Sequence, residues 1–313
     1  MLKYALRRIL ATIPVIAVVA FLVFSLLYVT PGDPAVVMLG DNATPEAVAK
    51  LQAELGLDKP YLVRFWSWGL NILSGELGTS HYTKLPVTHL IGQRLVPTLS
   101  LMVATLVLAI VVAVPLGAAA AAFHGTWLDR LAMLVSVLGF SIPAFVIAYV
   151  LAYNFGLKLR WLPIQGFTSP SVDLGKYFQG LVLPSISLSF LYIALIGRIT
   201  RSAMLDVLGQ DYIRTARAKG LSETAVVFSH ALKNAAIPIS TVIGLGFASL
   251  IGGAVVIETV FAIPGLGTLM VSSILSRDYP VIQGVLLMFS ITYVLVNLAV
   301  DLAYALFDPR IRY

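Results

Sequence analysis

Six stretches of this chain are long and apolar enough to cross a lipid bilayer, and that pattern constrains its fold more than any other feature. Crossing the hydrocarbon core takes about 20 mostly apolar residues. The candidate stretches are residues 9–30, 97–123, 131–155, 181–199, 235–257 and 281–307. Composition agrees with them. Of the 313 residues, 59% are hydrophobic and 12% charged, and the mean hydropathy is +0.92. A soluble domain carries about 25% charged residues, so lipid must be the solvent for most of this chain. The expected fold is an all-α polytopic membrane protein with six transmembrane helices. The first stretch begins with Lys3, Arg7 and Arg8. Its apolar run is too long for a signal-peptide core and no small-residue cleavage site follows it, so it reads as a retained helix.

Six crossings put both termini on one side. With the termini inside, the cytoplasmic cations are Lys3, Arg7, Arg8, Arg130, Arg198, Arg201, Arg214, Arg217, Lys219, Lys233, Arg310 and Arg312. The short outer loops hold Lys158, Arg160, Lys176 and Arg277. Twelve against four supports N-in, C-in, because Lys and Arg accumulate on the cytoplasmic side. The same asymmetry accounts for the formal charge of +6 without nucleic-acid binding.

The chain divides into residues 1–30 with the first helix, an extracytoplasmic segment 31–96, and a five-helix core 97–313 containing a cytoplasmic loop at 200–235. In the outer segment, Thr44 is placed to cap a helix that starts with Pro45 and stops at Gly56. Tyr61, Phe65, Trp66 and Trp68 follow, suited either to the headgroup layer or to a partner. Pro115 and Pro143 are expected to bend their helices. Gly244, Ala248 and Gly252, like Ala113, Gly117 and Ala121, recur every four residues and so share a helix face. Small side chains there let helices approach closely, as a gating contact or as static packing.

Residues 198–225 form the most informative segment. Asp211 opens a short helix and Lys219 ends it, in accord with the helix dipole. Gly220 is a natural stop and Ser222 caps a second helix. Ile213, Ala216 and Leu221 make a candidate apolar patch ringed by Arg214, Arg217 and Lys219. Such a helix-turn-helix suits a lipid surface or a partner's groove, and its physics alone does not choose.

This loop resembles the cytoplasmic loop of binding-protein-dependent ABC importer permeases, summarised as E-A-A, three residues, G, nine residues, I-x-L-P. Ala216, Gly220 and Leu232 match, while Arg214, Thr215, His230 and Lys233 depart from it. The departures are similar to the dipeptide/oligopeptide branch, which also takes in glutathione and nickel-chelate carriers. Pro31-Gly-Asp-Pro34, Leu55-Gly-Leu-Asp-Lys-Pro60, Pro264-Gly-Leu-Gly267, Arg277-Asp-Tyr-Pro-Val-Ile-Gln283 and Asp308-Pro-Arg-Ile-Arg312 extend the resemblance along the chain. It implies a multi-pass bacterial inner-membrane permease working with a second homologous permease, two ATPase subunits and an extracytoplasmic solute-binding protein. It also implies a coupling helix seated in the ATPase, carried here by Asp211, Tyr212, Arg214, Thr215, Ala216, Arg217, Lys219, Gly220, Leu221 and Glu223. The cargo expected is a dipeptide, oligopeptide or glutathione-like peptide, with a nickel chelate as the alternative.

Several chemistries are not expected. No G-x-x-x-x-G-K-[ST] phosphate loop occurs, so ATP and Mg belong to the partner subunits and the chain is not itself an enzyme. There are no cysteines, and the four histidines, His81, His89, His124 and His230, are scattered, so no metal site is expected. No serine elbow marks a membrane hydrolase. A secondary transporter would show internal repeats and several ionisable groups at mid-membrane. Glu258, Pro264, Gly265 and Gly267 are the candidates for a gate or path, Glu258 otherwise simply capping its span. Asn297 and Asp301 are expected to hold helices together, and Arg198 and Arg201 to reach toward the cytoplasmic surface.

Overall fold

The computed structural model describes residues 2–29, 33–40, 43–54, 56 and 59–307. Among them there is no strand, only one isolated bridge between Thr79 and Pro86. Pro31 and Gly32, Leu55, Leu57 and Asp58, and the tail from Asp308 with Arg310 and Arg312 lie outside the described residues.

Long helices supply the spans. They are α1 (Leu2–Val29), α5 (Val87–Ala122), α8 (Leu174–Leu208), α12 (Ala236–Val260) and α14 (Tyr279–Phe307). Each is long and apolar enough to cross. A sixth crossing comes from α6 (Trp127–Ser141) and α7 (Ala144–Leu151), the latter extended by a π-helical turn to Lys158. These two meet at a 97° bend around Pro143, where the ring removes a backbone donor. Pro97 and Pro115, by contrast, sit inside an unbroken α5. That helix starts at Val87, ten residues before the expected 97, because the polar turn holding His89, Gln93 and Arg94 precedes the apolar run.

Short helices fill the outer segment: α2 (Pro34–Leu39), α3 (Pro45–Glu54) and α4 (Tyr61–Leu73). Thr44 caps α3 by accepting the Ala47 N–H at 3.2 Å, and Gly56 follows the helix at φ +62°. The aromatics of α4 choose their own chain. Phe24 of α1 meets the rings of Tyr61, Phe65 and Trp68 at 5.3–5.5 Å, while Trp66 alone points outward.

The core lies where α5 and α8 run side by side, with α7 and α12 packed on them. Small residues set that spacing: a Cβ on Gly117 would stand 2.6 Å from the Gly197 carbonyl oxygen. Ala113, Gly117 and Ala121 are all buried, as their four-residue repeat predicts. The second stripe is only partly used. Gly244 faces Val300 of α14 and Ala248 is buried, but Gly252 opens onto free space, and the neighbouring Gly253 meets Leu188 instead. Asn297 donates to the Tyr293 carbonyl of its own helix at 3.1 Å rather than to a neighbour; the side chain of Asp301 lies outside the described residues.

Candidate functional site

At the end that the charge bias assigns to the cytoplasm, α8 turns at Gly209 into α9 (Asp211–Ala218). Asp211 occupies its first turn and Arg217 its last, as the helix dipole favours. Lys219 closes the helix and Gly220 follows at φ +82°, a conformation that a side chain with a Cβ rarely adopts. Ser222 then accepts the Ala225 N–H at 3.3 Å and caps α10 (Glu223–Ala225). That helix continues through a π-helical stretch, Val226–Ala231, into α11 (Leu232–Asn234).

The expected apolar patch does not form on the surface. Ile213 and Ala216 are both buried, Ile213 in a cluster with Ala118 and Ala121 of α5, Met204 of α8, and Val226 and Val227. Only Leu221 of the trio remains outside, 39% exposed, and Tyr212 joins it at 46%. The outward face is therefore Asp211, Tyr212, Arg214, Thr215, Arg217, Lys219, Gly220, Leu221 and Glu223. Across the elbow, Arg217 donates to both carboxylate oxygens of Glu223, at 2.8 and 3.2 Å. Those hydrogen bonds hold the Glu223 carboxyl below the usual carboxylate range. Arg214 reaches Asp211 at 3.3 Å, one helical turn away. The result is an elbow with a buried heel and a charged, partly apolar outer face.

Two turns before the end of α8 lies a cluster that sequence reasoning missed. Arg201 of α8 binds Asp129 at the start of α6 through two parallel contacts, Nε to Oδ1 and Nη2 to Oδ2. The Gly125 N–H donates to the same carboxylate at 3.0 Å, and His124 Nδ1 lies 3.1 Å from it. Asp129 is buried although it sits beside an exposed turn. Arg201 thus does not snorkel freely: it ties α8 to α6. The sequence signal was a lone acid in the first turn of an otherwise apolar span.

At the opposite end, Glu258, Gly265 and Gly267 come together beneath α13 (Leu266–Leu275). Glu258 is fully buried rather than capping an interface. Its Oε1 accepts from Thr98 Oγ1 at 2.6 Å, and its Oε2 accepts the N–H groups of Gly267 and Thr268 at 2.8 and 3.1 Å. Thr98 in turn accepts the Leu266 N–H at 2.7 Å. The carboxylate thereby satisfies donors that every helix start leaves open. Glycine is required there by crowding: a Cβ on Gly265 would stand 2.2 Å from Glu258 Oε1, and one on Gly267 2.5 Å from the Val255 Cα. Pro264 forms the half-buried turn between Glu258 and α13. Nearby, buried Asp278 accepts from Ser80 Oγ and from the His81 N–H at 3.2 Å, pinning the outer segment to the start of α14. Thr98 and Ser80 were not singled out in the sequence, since their carboxylate partners stand 160 and 198 residues away.

Among the described residues no three acidic or histidine side chains gather as metal ligands do.

Comparison with known proteins gives a consistent picture. Residues 113–313 match the profile described as the binding-protein-dependent transport system inner membrane component, and residues 1–102 match that of its N-terminal part. A probable peptide ABC transporter permease protein of Sinorhizobium fredii is 51% identical over 310 residues, 99% of both chains. The glutathione transport system permease proteins of Salmonella typhimurium and Escherichia coli K12 are 44% and 42% identical, each over the full length of both chains.

Proposed function

The chain belongs to the inner membrane components of binding-protein-dependent transport systems, and from that premise we propose that it is the permease subunit of an ATP-driven importer for peptides, glutathione-like peptides included. It is a multi-pass protein of the bacterial inner membrane. The secondary-transporter reading falls with family membership. The cargo class rests on the names of two relatives, one a peptide and one a glutathione permease. In this reading both termini lie in the cytoplasm, a second homologous permease completes the path, and an extracytoplasmic binding protein delivers the solute. Two ATPase subunits bind ATP and Mg, and this chain binds neither.

The observation that carries the coupling role is the two-sidedness of the α9 elbow. Its outer face is exposed and charged, with Tyr212 and Leu221 as apolar contacts, while Ile213 is buried among residues of α5 and α8 and Ala216 is buried as well. A force applied to the outer face therefore reaches two spans directly through packed side chains. The Arg201–Asp129 pair passes it to α6. ATP-driven closure of the ATPase dimer, by binding one arrangement of this elbow more tightly than the other, biases the permease between outward and inward states. Glu258 keeps α13 fixed at the outer mouth while the inner ends of the helices move.

The test is gentle purification of the tagged protein from its native membrane, followed by mass spectrometry of proteins and small molecules. Recovery of a second permease, ATPase subunits and a peptide-loaded binding protein is expected. Repeated recovery of the chain alone under several mild detergents contradicts the assembly, and a non-peptide solute contradicts the cargo.

A further inference from the structure

Arg198 is out of place for a residue that should reach the cytoplasmic surface. It lies on α8 one turn before Arg201, and its guanidinium turns back toward the membrane interior, over the ring of Phe140 at 5.0 Å. Helical side chains tilt toward the N-terminus of their helix, which for α8 is the outer end. The helices α6 and α8 run antiparallel and in contact, Asp129 facing Arg201 at one level and Gly139 meeting Ala194 and Phe190 at another. Phe140 thus stands ten or more residues into α6 from the Asp129–Arg201 pair, and at 1.5 Å per residue the guanidinium sits on the order of 10 Å inside that pair. The side chain is exposed, and among the described residues no carboxylate pairs with it.

An unpaired cation at this depth is costly against lipid and stable beside water. A second feature at the same level needs water too. Ser141, Ile142 and Pro143, where α6 breaks from α7, are all exposed, and α7 begins at Pro143 with no side-chain cap. Open helix ends at membrane depth persist only where protein or an aqueous cavity covers them. Beside Arg198 a cleft of about 170 Å³ opens between α5, α6 and α8, walled by Leu116, Leu131, Val135 and Ile193.

We propose that Arg198 lines the solute path in the inner half of the membrane and pairs in passing with a carboxylate of the transported solute, Phe140 holding the guanidinium in place. The inference rests on the peptide-importer reading above, since every unmodified peptide carries a C-terminal carboxylate. The contact is transient by design: one exposed charge pair beside water is weak enough to release its partner.

The test uses the complete complex in proteoliposomes, with trialanine and trialanine C-terminal amide as probes. Uptake of each is corrected for its measured affinity for the binding protein, which is the same in every arm. Expected in the wild type is a preference for the free carboxylate. In Arg198→Gln, trialanine uptake should fall about tenfold while the amide changes less than about twofold, the size expected for one charge-assisted hydrogen bond. Arg198→Lys should keep the preference. Equal losses for both peptides, as a lipid-headgroup role would give, overturn the proposal, and so does unchanged uptake of both. Failure of Arg198→Gln to copurify with the second permease also overturns it, since the residue is then an interface contact. A wild-type complex that moves neither of these peptides nor glutathione refutes the peptide reading itself, and the site with it.

Discussion

The two ends of this molecule solve opposite problems. At the outer end a carboxylate is buried and over-satisfied: Glu258 meets Thr98 and two backbone donors, and glycines at 265 and 267 leave it no room to move. At the cytoplasmic end the charges of α9 and its elbow stand in solvent, where Arg214 pairs with Asp211 and Arg217 with Glu223. A polar group buried in a fully satisfied network rigidifies what it touches. Exposed, loosely paired charges exchange partners at little cost. The outer group is built to hold α13 in one place and the inner face to meet another protein, and substitutions at the two ends should fail in different ways.

The sharpest break in that contrast comes from Glu258→Ala. It leaves buried donors from Thr98, Gly267 and Thr268 unpaired, a loss on the order of 4 kcal/mol. The variant should be scarce in the membrane by quantitative blotting, with Glu258→Gln intermediate. A variant as abundant and heat-resistant as the wild type would show that α13 does not depend on the carboxylate.

Next is Ile213→Ala, which empties a fully buried position beneath the elbow. Such truncations cost about 2–4 kcal/mol. The chain should still insert, because its spans are untouched, while protease cleavage within residues 209–222 accelerates. Unchanged cleavage would mean that α9 is not seated on α5 and α8 as described.

Gly220→Val should act more on function than on abundance. A β-branched residue at φ +82° is strained by about 2 kcal/mol, and the space around the position is open. Uptake should fall at least about tenfold while the ATPase subunits keep hydrolysing, a ratio read in proteoliposomes. Full uptake in this variant would remove the coupling role from the elbow.

Arg217→Ala should have the smallest effect. Both partners of the Arg217–Glu223 pair are substantially exposed, and such pairs contribute little. Its pH dependence has a definite sign. Because the Glu223 carboxyl is depressed in the folded protein, the pair contributes fully at neutral pH and is lost only as pH falls through that lowered value. The difference between Arg217→Ala and wild type should therefore be greatest near neutral pH, where it stays within about twofold, and vanish as pH falls. A much larger loss would show that Arg217 contributes to the ATPase contact beyond its pairing with Glu223.

Local pattern was enough to read the spans, the Thr44 and Ser222 caps and the stop at Gly220, because each depends on residues within a few positions. It failed where the deciding partner was distant in the chain. Ile213 looked like part of an exposed patch because Ala118, Ala121 and Met204, which cover it, belong to other helices. Thr98 gave no sign of its bond to a carboxylate 160 residues away. Asp129, 72 residues from Arg201, drew no notice, and Arg201 read as a surface-reaching charge rather than half of a clamp. The bend at Pro143 was signalled by the proline, but its 97° angle was not, since Pro115 leaves α5 intact. In a membrane the apolar pattern reports the crossings; it is silent on which helix faces which, because all faces are apolar.

The most direct test of the central claim places a photo-activated benzoylphenylalanine at position 212, on the exposed face of α9, and a second at position 161, an exposed tryptophan on the outer side. In the assembled complex, an adduct with the ATPase subunit is expected from position 212 and not from 161. Absence of that adduct from position 212 in a complex that contains the ATPase, or its formation from position 161, would contradict the account.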